Sequence, residues 1–225
     1  MFSKTTIIFV HGLGLSGEVW APQRNWCRKN IIDFVTLTLP GHGDRRNEDV
    51  SIDKMVDEIV SIANKSREVI LVGHSFGAFL CALAAPQLKN IKSILLINPL
   101  FKSKQLPIMF LVSIKFMKVF QQIFGIAKPG NYLKGGKWFW KWGIYPYSLF
   151  HNPAIIIEKI YYQIKKREKD YFPRFRFNVV RVLSQDDELV RPLVYKDDIV
   201  VSTRGHMLFR LNSKLMNSFL DQVAL

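Results

Sequence analysis

The sequence predicts an α/β fold, a mostly parallel twisted sheet flanked by helices, and three observations carry that prediction. Short continuous apolar runs recur along the chain, among them TTIIFV (5–10), EVILVG (68–73) and SILLINP (93–99). Segments of helical period separate them. A strand that is apolar on both faces needs cover on both, which a parallel sheet obtains from its helical crossovers. Third, 48% hydrophobic and 22% charged residues over 225 positions give enough material for one main domain with a sizeable insertion, and they exclude a disordered chain.

In order, TTIIFV (5–10) reads as a buried strand and FVTLTL (34–39) as a second, closed by Pro40-Gly41. IDKMVDEIVSIANK (52–65) sets Met55, Ile59, Ile62 and Ala63 at helical spacing, with Ser51 as N-cap. Strand 68–73, helix AFLCALAAPQL (78–88) and strand 93–99 follow. After the insertion come strand NVVRVLS (178–184), strand DIVVST (198–203) and a terminal helix SKLMNSFLDQVA (213–224).

The interval 101–176 breaks the rhythm, so the predicted division is a core of 1–100 and 177–225 with an inserted cap of 101–176. LPIMFLVSIKFMKVFQQIFGIA (106–127) and AIIIEKIYYQIKKREKD (154–170) read as helices around the Gly-rich aromatic stretch KPGNYLKGGKWFWKWGIYPY. The first helix is a poor membrane span: its uninterrupted apolar run stops at Ser113 and Lys115, short of the roughly 20 residues a bilayer requires. The net charge of +14 belongs here, since 15 Lys/Arg face 3 Asp/Glu between Phe101 and Val180. The N-terminus lacks the features of a secretory signal, so the cytoplasm, or its membrane surface, is the expected location. Cys27 and Cys81 match no metal spacing, and Cys81 is expected in the core.

Gly73-His74-Ser75-Phe76-Gly77 follows an apolar strand and opens a helix. That context gives G-x-S-x-G its meaning: a sharp strand-to-helix turn projects one hydroxyl, beside helix N-terminal amides that favour developing negative charge. A serine needs a base, and the base needs a carboxylate. His11 and His42 sit in glycine-flanked loops, His74 is inside the turn and His151 falls in the insertion, leaving His206 after the last strand as the best base. For the acid, Asp186 and Asp187 both follow strand 178–184, at the carboxyl edge where open parallel sheets put their sites. Asp197 and Asp198 lie at the wrong end of the last strand and are expected to be solvated.

With HGLG (11–14), Trp20, LPGHGD (39–44), GHSFG (73–77), SQDDELV (184–190) and GH (205–206), the chain resembles the α/β-hydrolase superfamily over nearly all of its length outside the insertion. The resemblance selects Asp187 over Asp186, from the family pattern G-x-x-D-x-x-V. It also implies an oxyanion hole from the backbone N–H groups of Leu13 and Phe76. Thr38 and Ser184 depart from the pattern, where many relatives carry aspartate and glycine.

The resemblance implies a serine hydrolase of small-molecule carboxylic esters or thioesters, with Ser75, His206 and Asp187 catalytic and no metal or organic cofactor. Serine in place of aspartate disfavours dehalogenase and epoxide-hydrolase chemistry. Three readings of the insertion stay open: a cap whose aromatic residues line a pocket, a cationic surface for an acidic carrier protein or an anionic membrane, or a lysine-rich solvated surface. Nucleic acid is not expected, because no recognition motif accompanies the charge. A non-catalytic ligand receptor on the same fold is the alternative from another class.

Overall fold

The computed structural model describes residues 5–124, 154–168 and 176–224. The aromatic stretch 128–147 and His151 lie outside them. Six strands form one sheet in the order β2-β1-β3-β4-β5-β6: β1 Thr6–Val10, β2 Asp33–Leu37, β3 Val69–His74, β4 Ile91–Ile97, β5 Asn178–Asp186 and β6 Ile199–Arg204. Every neighbouring pair is parallel.

Side chains alternate across the sheet, and both faces are covered. Ile8, Val10, Leu71, Ile94 and Leu96 join a core with α2 (Ile52–Ala63) and α3 (Phe76–Ala84). Ile7, Phe9, Ile70, Val72, Leu95 and Ile97 join the other, under α1 (Ala21–Lys29) and the terminal helix Ser213–Ala224. This double burial is why the strands read as unbroken apolar runs, and each fully buried Ile, Leu or Phe contributes about 1.5–3 kcal/mol. Cys81 is fully buried within α3, as expected.

The predicted strands are present with ends shifted by two residues or fewer. The helix read as 78–88 begins at Phe76 and tightens into a 3₁₀ turn over Ala85–Gln87. Ser51 caps α2, its hydroxyl accepting from the Lys54 N–H at 3.5 Å. Two helices were not anticipated, α1 and the short Leu208–Leu211.

One expectation is corrected. Asp197 is exposed, but the Asp198 side chain is fully buried, 2.6 Å from the Arg181 Nε on β5, and it accepts from the Tyr195 N–H at 2.7 Å. The Arg181 guanidinium also lies over the Tyr195 ring, 4.4 Å from its centre, so cation and anion are removed from water together.

From the insertion, α4 (Ile108–Phe124) and α5 (Ala154–Arg167) pack against each other through Ile114, Ala154 and Ile157. Ile160 and Ile164 of α5 enter the main core. Gln163 accepts from the Ile52 N–H at 2.9 Å, tying α5 to the start of α2. Among the described residues no helix is long and apolar enough to cross a membrane.

Candidate active site

Strands β1 and β3 end together, Val10 beside Gly73, so the loop after β1 and the turn after β3 meet at the carboxyl edge of the sheet. The chain crosses there from one flank of β1 to the other, which is the switch point where open α/β sheets leave a crevice. Ser75 stands in that turn with φ 53° and ψ −117°, a conformation unfavourable for any residue but glycine. Its N–H donates to the Ile97 carbonyl at 2.9 Å, and its carbonyl accepts from the Leu100 N–H at 3.2 Å. The flanking glycines are a steric requirement: a Cβ on Gly77 would lie 2.2 Å from the Val10 carbonyl oxygen, and one on Gly73 would lie 2.6 Å from the Ala78 Cα.

Among the described residues, the N–H groups of Leu13 and Phe76 have no protein acceptor. Phe76 opens α3, where unpaired N–H groups are inherent to a helix start. Gly12, next to Leu13, touches the serine turn, since a Cβ there would come within 3.0 Å of the Ser75 Cβ.

His206 follows Gly205, whose φ of 97° turns the chain off β6. The imidazole Nδ1 lies 2.7 Å from Asp187 Oδ2, with both side chains almost fully buried. Asp187 is held in turn, its Oδ1 accepting from the N–H groups of Leu189 at 2.9 Å and Val190 at 2.7 Å. A carboxylate with one oxygen committed to backbone donors turns the other toward the imidazole, a contact that in the neutral ring selects the tautomer with its proton on Nδ1. Asp186, the other acidic residue considered, is exposed at the end of β5.

The backbone of His206 is gripped on both sides. Its carbonyl accepts from His74 Nε2 at 2.8 Å and from Asn98 Nδ2 at 3.0 Å, while its N–H donates to Glu188 Oε2 at 3.1 Å. Asn98 also accepts from the Ser184 N–H at 2.7 Å and sits at φ 43° after β4. The sequence reading did not single out Asn98 or Glu188, and it gave His74 no role. Asn98 carried a faint signal, a polar residue closing the apolar run of β4.

His74 packs between the rings of His206 and Phe209, at centroid distances of 4.5 and 4.6 Å. Burial, and secondarily the neighbouring His206, hold its pKa well below the ordinary value. His11 and His42 form a second buried pair, 5.1 Å between centroids. Burial and His42 lower the His11 pKa to about 3, and burial lowers that of His42 to about 4. His11 accepts from the Leu39 N–H at 3.0 Å through Nε2 and contacts the Gly12 carbonyl through Nδ1, so it fastens the loop after β2 to the loop after β1.

Ser75, His74 and His206 border one narrow cavity of about 20 Å³, room for a single water. Its other walls are apolar, with Leu13 and Leu100 from the core, Phe110 from α4, Ile157 from α5 and Leu189 from the acid loop.

Residues 7–206 match the sequence profile described as "Alpha/beta hydrolase family". The chain belongs to that family. No curated protein is a significant sequence match to this α/β hydrolase. Solved structures similar to it include an extracellular α/β-hydrolase from a Paenibacillus species, at TM-score 0.65 and 17% identity, covering 97% of this chain and 98% of that one. A monoacylglycerol lipase of Paleococcus ferrophilus gives TM-score 0.66 at 16% identity, covering 97% and 93%. A carboxylesterase of the thaumarchaeon Nitrososphaera gargenis gives 0.71 at 12%, covering 97% and 89%. At such identities the likeness bears on the fold of this α/β hydrolase alone.

Proposed function

We propose that the protein is a serine hydrolase of carboxylic esters or thioesters, with Ser75 as nucleophile, His206 as general base and Asp187 as the carboxylate that orients it. The observation that carries the reading is the His206–Asp187 contact of 2.7 Å at the rim of the cavity that Ser75 also borders. Ser75 Oγ attacks the carbonyl carbon and passes its proton to His206 Nε2. Asp187 fixes the imidazole tautomer and offsets the imidazolium charge. The N–H groups of Leu13 and Phe76 hold the tetrahedral oxyanion, each such donor lowering the barrier by about 3 kcal/mol in comparable sites. His206 then returns the proton to the leaving alcohol or thiol, and water activated by the same imidazole releases the acid.

In this reading 101–176 is the cap, since Phe110 and Ile157 contribute to the apolar wall over Ser75. That wall suits a hydrocarbon acyl or alcohol group. A lipid ester is the second reading, favoured by the apolar outer face of α4.

A fluorophosphonate probe tests the core of the proposal. Ser75 is expected to be labelled in the wild type and unlabelled in Ser75→Ala and His206→Ala. Absence of wild-type labelling, with no hydrolysis of p-nitrophenyl esters from acetate to octanoate, would overturn it in favour of a binding protein.

A further inference from the structure

Helix α4 is apolar on both sides. Its inner side packs through Phe110, Leu111 and Ile114 on Ala154, Ile157 and Leu13. Its outer side is Ile108, Met109, Val112, Phe116 and Val119, which are 77, 71, 50, 69 and 53% exposed. At the helical period these five fall within an arc of about 100°, so the solvent-facing stripe is hydrocarbon. An exposed contiguous apolar stripe marks an interaction surface.

Several cations of α4 and α5 are paired. Lys118 pairs with Glu158, Lys159 with Asp49 and Arg167 with Asp53. Lys115 and Lys165 have no acidic partner among the described residues. Both line a groove of about 200 Å³ between α4 and α5, together with Leu111, Ile114, Tyr161 and Tyr162; Glu158, the acidic side chain there, is engaged by Lys118.

We propose that the outer face of α4, with the Lys115/Lys165 groove beside it, docks the protein on an anionic phospholipid bilayer. The proposal stands on this surface and is independent of the role of Ser75. Among the described residues no helix is long and apolar enough to span a bilayer, but an apolar stripe bordered by cations lies in its interface, hydrocarbon among the upper acyl carbons and ammonium groups at the phosphates. The net charge of +14 supplies long-range attraction to an anionic surface. An acidic carrier protein would be met best by cations at the centre of the face, whereas here the centre is apolar and the cations stand at its margin.

Sedimentation of the full chain with phosphatidylcholine vesicles, with and without phosphatidylglycerol, tests this. The wild type is expected to bind the anionic vesicles more tightly, with binding that weakens as salt is added. Phe116→Asp, and the milder Phe116→Ser, are expected to weaken binding to both vesicle types at least tenfold. Lys115→Gln with Lys165→Gln is expected to remove about thirty-fold from the affinity for anionic vesicles and little from that for neutral ones. Circular dichroism checks that each variant keeps its helices, and p-nitrophenyl acetate hydrolysis is followed in parallel. Intact hydrolysis without vesicle binding overturns this proposal alone; vesicle binding with neither fluorophosphonate labelling nor hydrolysis of any p-nitrophenyl ester from acetate to octanoate overturns the Ser75 reading alone. Binding that ignores both sets of substitutions, an acidic protein as the only ligand, or a lipid-free dimer that Phe116→Asp dissolves, overturns the bilayer assignment.

Discussion

The Nε2 of His74 donates to the main-chain carbonyl oxygen of His206 across 2.8 Å, joining the residue before Ser75 to the loop after the last strand. The same carbonyl accepts from Asn98, so three strand ends converge on one oxygen atom. The imidazole of His206 is therefore positioned from behind as well as by Asp187.

That double grip makes Asn98 a positioning residue. Asn98→Asp keeps an acceptor for the Ser184 N–H but loses the donor to His206, leaving a buried carbonyl one partner short. We expect a loss of about 1–3 kcal/mol of stability, read as a lower thermal midpoint. If the residue acts through His206, kcat falls while KM is little changed; a purely structural role would move the midpoint alone.

The backbone of Ser75 is held at φ 53°. Ser75→Gly relieves that conformation and should raise stability by about 1 kcal/mol while abolishing ester turnover, whereas Ser75→Ala abolishes turnover without the gain. Denaturant midpoints of the two variants against the wild type check the difference.

Asp187→Asn removes the acceptor that fixes the Nδ1–H tautomer of His206. Turnover on p-nitrophenyl esters should fall about 10⁴-fold, as it does where this relationship has been broken in other triads. Retention of turnover within tenfold would remove Asp187 from the mechanism.

Acid should weaken the fold through its buried histidines. His11 and His42 titrate at about 3 and about 4 in the folded chain and close to 6.5 when unfolded, and burial pushes His74 down as well. The unfolded chain therefore binds more protons below pH about 6.5, so stability is complete above that pH and declines from there toward pH about 4, each histidine contributing a slope of about 1.4 kcal/mol per pH unit. Urea unfolding at stepped pH measures the slope. His42→Asn keeps a donor near the Pro40 carbonyl and should flatten the slope by one histidine's share; an unchanged slope would refute its buried neutral state.

Gly77→Ala places a methyl 2.2 Å from the Val10 carbonyl oxygen, with backbone on both sides. Soluble expression should be lost or stability reduced by more than about 4 kcal/mol; a well-folded Gly77→Ala protein would show that β1 and α3 are less tightly apposed than described.

The sheet was legible because both of its faces are buried: Ile7 and Ile8 point to opposite cores, so the apolar run of β1 is unbroken. Helix α1 was not, because APQRNWCRK buries only Gln23, Trp26 and Cys27, and the Gln23 amide donates to the Phe209 carbonyl 186 positions away. Ser75, His206 and the pair Asp186 and Asp187 stood out as candidates through glycines and loop position, which local sequence carries, while the choice of Asp187 came from the family pattern. Asn98 and Glu188 act through the backbone of a residue distant in the chain, and Asp198 is buried because Arg181 reaches it from another strand. No local pattern encodes such partners.

Strands β4 and β5 are immediate neighbours, Ser93 beside Asn178, although some eighty positions of chain separate them. Everything between is therefore one excursion that leaves and rejoins the sheet at adjacent strands. Such an excursion can be lengthened, exchanged or recharged without moving the strand ends that carry Ser75, Asp187 and His206, so the walls over the cavity can change independently of the sheet beneath it.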